Sequence, residues 1–391
     1  MTALTMPARP DEDAAALRPV PWRRMAGVTW RQHRIALAGV AVLLGALAVW
    51  LYSIGTSLHN AYSAALACHP ASSAACQNLV SNFNVSAENH AMGSKGPGGI
   101  LLQLLPVLIG AFAGAPALAR ELETGTFRYT WTQSFGRWRW ALAKLVLLAV
   151  VLAAATAAFG ALVSWYYQPE FGTSSLGLYQ NSPLVTLFSL REVTFPAWTL
   201  AAFTIGALAG MLIRRVLPAI VATLAVYAGL AFAAGSFLRE HYLTPLATTS
   251  INVNLPGAGT AWIISQWSTR NGRFAFAGGL PPMSIVNRFC SSVSPGTGKG
   301  GPGDPFAQCL VQHGYTQWTS YQPASRFWPF QWIEGGWLLA LSVLLIAATI
   351  WLVRRRGLDL RPADGHRGRP APRLHRHRRR GARPLPHRRL T

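Results

Sequence analysis

Six long, predominantly apolar runs of 18 to 26 residues decide what this chain can fold into: Ile35–Ile54, Ile100–Ala119, Ala141–Tyr166, Pro196–Ile213, Val216–Phe237 and Trp332–Val353. A bilayer core about 30 Å thick is crossed by about 20 apolar residues in an α-helix. Inside hydrocarbon the backbone must satisfy its own hydrogen bonds, so runs of this length are helices. Nothing alternates with period two over barrel-strand lengths. Only 12% of residues are charged, against about a quarter in soluble domains. The fold class predicted is an all-α membrane protein with six transmembrane helices.

Lys and Arg orient it. With the N-terminus inside, the segments 1–34, 120–144, 214–215 and 354–391 face the cytoplasm and hold 27 of the 35 cations. That is the positive-inside pattern, and it predicts N-in and C-in. The net charge of +22 follows from this asymmetry and from the basic tail, so nucleic acid is not an expected partner. Residues 1–20 read as a disordered N-terminus, 35–356 as the six-span domain with an outer loop at 238–331, and 357–391 as a disordered basic tail resting on anionic lipid. The first run is too long, and too far from the N-terminus, for a cleaved signal peptide.

All four cysteines fall in outer loops. Their paired placement in an oxidising compartment predicts local disulfides, Cys68–Cys76 and Cys290–Cys309, with swapped pairing left open. Ahead of the first span, Trp22, Ala26 and Trp30 recur at helical spacing while Arg24, Arg31 and Arg34 share another face. Residues 21–34 therefore read as an amphipathic helix lying in the interface, or as simple positive flanking of the span. The outer loop is long enough to form an extracytoplasmic cap. It ends in the aromatic run Tyr321–Trp332, which reads as an interfacial belt or a short re-entrant element; Pro323 and Pro329 argue against one long helix. Glu334, at the rim of the sixth span, calls for a partner or headgroup water, and Arg326 is the nearest cation in sequence. Gly110-xxx-Gly114 and Gly206-xxx-Gly210 predict close helix approach, within the bundle or across a dimer.

Catalytic and metal-binding signatures are missing. There is no HExxH, no G-x-S-x-G and no Cys/His ligand array. Gly298-Lys299-Gly300 imitates the end of a phosphate-binding loop, but position 293 is Val and no Ser or Thr follows the lysine. The spans also lack the chained acids and histidines of proton-coupled carriers. No catalytic residue, metal or cofactor is therefore expected on this chain, and any transport it performs draws energy from elsewhere.

The loop between the second and third spans is the most unusual stretch. Glu121 and Glu123 precede Gly125-Thr126, where a glycine can end the helix. Phe127, Trp131, Phe135 and Trp138 then recur near helical spacing, and Arg137 and Lys144 lead into the third span. An interfacial helix would explain this content, and so would a coupling helix seated in a soluble partner.

The run Arg120-Glu-Leu-Glu-Thr-Gly-Thr126, followed by Ser134, Arg137 and Lys144, resembles the corresponding loop of ABC-transporter permeases of the ABC-2 type, where an acid-x-x-x-Gly-Thr step follows the second span. The Trp22–Arg34 segment, with Trp30 and Arg31, is similar to that family's interface helix. Gly206–Gly210 with Arg214-Arg215, and Tyr321–Trp328, resemble actinobacterial members. The likeness covers about residues 20–356. Phe135-Gly136 stands where the family often has proline, and the basic tail has no family counterpart. The resemblance implies a permease half. A separate ATP-binding subunit, carrying ATP and Mg, would dock on Glu121, Glu123, Gly125, Thr126, Phe127, Trp131, Arg137 and Lys144. A second permease copy or relative, together with membrane lipids, would complete the assembly in the cell membrane. It also implies outward movement of amphipathic, drug-like or lipid-like cargo. A membrane sensor or immunity protein that binds ligand through the outer loop is the competing reading, and a membrane-embedded transferase, with only Glu170 and Glu334 to serve it, ranks last.

Overall fold

The computed structural model describes residues 22–69, 73–90, 97–124, 137–172, 182, 184–185, 187–249, 261–278, 281–291 and 305–356. The N-terminal segment, the basic tail and residues 125–136 lie outside them.

Six helices are long and apolar enough to cross a membrane. Span one is Trp22–Ala67; span two is Leu105–Thr124, entered through the helix Pro97–Gln103; span three is Arg137–Gly172; span four is Thr194–Ile213. Span five is Val216–Ala233, continued by a π turn at Ala234–Leu238 and a 3-10 turn at Arg239–His241, and span six is Phe327–Arg356. Spans four and five are joined by Arg214 and Arg215 alone. Arg214 adopts a left-handed conformation (φ 60°) that lets its N–H reach the Gly210 carbonyl and close the helix.

Span four is the centre of the bundle. It is buried on most of its surface and packs on spans two, three, five and six. Its closest neighbour is span two, where the two small-residue motifs meet face to face: Gly110 and Gly114 lie against Thr199, Ala202 and Phe203, and Gly206 and Gly210 lie against Gly114, Ala115 and Ala119. The seam is intramolecular. Span one leans on span three through Leu37, Leu44 and Leu51 but scarcely touches span two, so two apolar grooves flank its first half.

Three features differ from the sequence reading. First, residues 22–34 do not form a separate helix: Trp22–Ala67 is one continuous helix, longer than a bilayer crossing needs. Its polar residues return hydroxyls to carbonyls three residues back, Ser53 to Trp50, Thr56 to Ser53 and Ser63 to Asn60. The extension folds back as the helix Ala74–His90, fastened by the Cys68–Cys76 disulfide and by Tyr62 against Phe83.

Second, the long last loop carries a four-stranded antiparallel sheet, β1 (Leu246–Thr249), β2 (Trp262–Arg270), β3 (Arg273–Ala277) and β4 (Tyr315–Gln322), in the order β1-β4-β2-β3. Asn271-Gly272, both at positive φ, make the two-residue turn between β2 and β3. The Cys290–Cys309 disulfide joins the helices Met283–Phe289 and Pro305–Gln312 beside this sheet, and Arg270 lies over the rings of Phe289 and Tyr315.

Third, Pro329 sits in the first turn of span six, where a missing N–H breaks no helical bond, so the helix begins at Phe327.

Candidate functional site

The basic end of the bundle, where spans two, four and six finish and spans three and five begin, gathers most of the residues singled out from sequence. Leu118, Ala141, Met211 and Val353, one from each of spans two, three, four and six, form a small apolar cluster. Above it, Lys144 donates to Glu121 at 2.7 Å. The lysine side chain is 2% exposed and the glutamate 17%. Lys144 Nζ also lies 5.0 Å from the Trp140 ring, one turn earlier on span three. A pair this dry is held by mutual compensation: either charge alone would be stranded in an apolar setting.

Glu123 does different work. Helix five begins at Val216 with no side-chain cap of its own. Pro218 removes one of the first-turn donors, and the Val216 N–H is received by Glu123 Oε2 at 3.2 Å, from the last turn of span two. The carboxylate thus sits where the helix dipole favours negative charge. Glu123→Ala is expected to cost about 0.3–1 kcal/mol, read as faster hydrogen exchange at the first amides of span five with the rest of the bundle unchanged.

The structure therefore brings Glu121 and Lys144 together and lets the exposed Glu123 reach the start of span five, joining the last turn of span two to spans three and five. Arg137 opens span three, with its side chain outside the described residues. Gly125, Thr126, Phe127 and Trp131 also lie outside them, as does the Trp22 side chain. Trp30 and Arg31 are exposed on span one. Trp138 lies under the Arg354 guanidinium at 4.6 Å, tying the end of span six to the start of span three.

The opposite end holds a second cluster. Glu334 is fully buried, and its partner is Arg239, not Arg326. Arg239 donates through Nε to Oε2 at 3.0 Å and through Nη2 to Oε1 at 2.8 Å, a two-pronged fit. Trp198 Nε1 donates to Oε1 at 2.8 Å and the Tyr242 hydroxyl to Oε2 at 3.2 Å. Trp337 Nε1 in turn donates to the Tyr242 oxygen. Burial, and then the Glu334 charge, push the Tyr242 phenol up, which keeps it a donor. Phe188 lies 4.4 Å from the Arg239 guanidinium carbon. Spans four, five and six thus converge on one carboxylate, and the π turn just before Arg239 sets the phase that aims it there. Arg326 instead donates to the Thr244 carbonyl and to Gln322, where it holds the sheet to the end of span five. Glu334 could be flagged from sequence as an acid in a span, but nothing in the sequence pointed to Arg239, 95 residues away.

Neither cluster pairs a nucleophile with a base. Among the described residues the one grouping of metal-ligand type is Cys290, Cys309 and His313, whose two sulfurs are bonded to each other. Gly298–Gly300 lies outside the described residues.

Searches of curated proteins and of solved structures find no match. Residues 41–239, which run from within span one through Arg239, match the family described as ABC-2 membrane transporter related. This stretch includes the Glu121–Lys144 pair, the Glu123 contact and the glycine seam. The chain belongs to the ABC-2 membrane transporter related family, as a multi-pass permease of ABC-2 type.

Proposed function

We propose that this permease works as the membrane half of an ATP-driven exporter in the cell membrane. A separate ATP-binding subunit docks on the 121–144 segment at a cytoplasmic basic end, and a second permease, identical or related, completes the pathway. ATP and Mg belong to the partner subunit. The cargo is amphipathic, in keeping with spans built largely of apolar and small residues.

The observation that carries this reading is the way the 121–144 segment is rooted. Glu121–Lys144 fixes its two ends to each other, and Glu123 fixes span two to span five. A push on residues 125–136 would reach three spans as one body instead of fraying a loop. A partner can bias a membrane conformation only through contacts that differ between its own states, and a rooted loop delivers that difference to the bundle.

The test is a charge exchange. Glu121→Lys and Lys144→Glu are each expected to lower export by about tenfold or more, as a buried charge loses its partner, and the double exchange is expected to recover much of it. Co-purification with an ATP-binding subunit is read alongside. Full export by both single variants would overturn the coupling role. Failure of any ATP-binding subunit to co-purify would favour the ligand-sensing alternative.

A further inference from the structure

The groove between spans one and three has an asymmetric lining. At its basic end stand the Trp30 indole and the Arg34 guanidinium; deeper in, its walls are aliphatic, including Ile35 and Ala38 on one side and Val151 and Ala155 on the other. Its volume is about 500 Å³. From Arg34 to Ala41, its furthest lining residue on span one, the helix rises about 10 Å. That is about two thirds of one leaflet's hydrocarbon depth. The groove is therefore single-leaflet in length, charged at the membrane surface and dry below.

Charge selects the occupant. Arg31 lies one turn before Arg34 on the same helix, and both are exposed. The two described acids at this end are engaged elsewhere, Glu121 with Lys144 and Glu123 with the Val216 N–H. A guanidinium matches a phosphate in planar, two-pronged geometry, and indoles favour the headgroup level. We propose that this groove is a binding site for an anionic phospholipid of the adjacent leaflet, its phosphate held by Arg34 beside Trp30 and one acyl chain lying between spans one and three. The site rests on the membrane placement of the chain and is independent of the transport reading.

The experiment is native mass spectrometry of the full-length, delipidated protein titrated with equimolar dioleoylphosphatidylglycerol and dioleoylphosphatidylcholine. The parent is expected to retain one phosphatidylglycerol per chain with a preference of about fivefold, the factor set by one cation near the membrane surface. Arg34→Gln should bring the two lipids level. Ala38→Trp, at an exposed position on span one, should fill the groove and reduce retention of both. Equal retention of the two lipids by the parent, an undiminished preference in Arg34→Gln, or undiminished retention in Ala38→Trp would each overturn the site. All three readouts are lipid stoichiometries and stand apart from export or ATPase activity.

Discussion

Arg239→Ala is expected to be among the most destabilising single substitutions in this protein. The change leaves the Glu334 carboxylate fully buried with only the Trp198 and Tyr242 donors. Removing one member of a buried ion pair costs about 3–5 kcal/mol, because the remaining charge keeps its desolvation penalty without its compensation. Glu334→Gln placed in the Arg239→Ala background should recover most of the loss: the amide oxygen still accepts from Trp198, and no unpaired charge remains. The measurement is a double-mutant cycle on the thermal unfolding midpoint in detergent. The coupling should be large, with the double variant more stable than Arg239→Ala alone. An Arg239→Ala midpoint equal to that of the parent would mean that the pair does not hold spans five and six together. The cluster also links the sheet to the spans, since Tyr242 and the Leu243 and Thr244 carbonyls, bonded by Gln322 and Arg326, follow Arg239 within a few residues. Loosening it should raise protease sensitivity between Tyr242 and Tyr315 before the spans themselves are cut.

This cluster also marks where the sequence stopped being informative. An acid in an apolar run signals a compensating partner, and Glu334 has one. Which cation it takes depends on how spans five and six lie against span four, and that is tertiary information; proximity in sequence pointed to Arg326, which the fold uses elsewhere. Glu121 and Lys144 followed the same logic. Each was legible as a charge beside a span, and their closure into a pair depended on the tertiary packing that sets Glu121 beside Ala141, Met211 and Val353. The spans themselves were legible because a bilayer-length apolar run has one structural outcome. The continuation of span one to Ala67 was not, because hydropathy reports solubility in lipid and is silent on whether a polar segment stays helical in water. The sheet was marked by Asn271-Gly272 within a stretch where alternation is blurred by a register shift between Ser268 and Thr269.

Gly114→Ala is expected to destabilise where the same change elsewhere in the bundle helps. In an ordinary helix interior, glycine to alanine gains up to about 1 kcal/mol. Gly229 in span five has nothing within 4 Å of a new Cβ, and Gly229→Ala should show that gain. At the seam of spans two and four the neighbours are backbone atoms and alanine Cβ atoms. A Cβ at Gly110 would lie 2.7 Å from the Thr199 oxygen, one at Gly210 would lie 2.5 Å from the Ala115 oxygen, and one at Gly114 would overlap the Phe203 carbonyl. Backbone atoms of a buried helix cannot turn aside as a side chain can, so the whole of span four has to move. Overpacking of this kind costs about 1–3 kcal/mol for a methyl, and Gly114→Leu should cost more. The sign is the decisive quantity: unfolding midpoints for Gly229→Ala and Gly114→Ala should move in opposite directions, and a shared direction would mean that the seam has room for a methyl. The consequence reaches the assembly. All four glycines of the two motifs are buried within one chain, so the spacing that resembles a dimerisation signal is already consumed. In the proposed assembly a second permease would meet this one on other surfaces; spans one and five bury the least of their length, and span six little more.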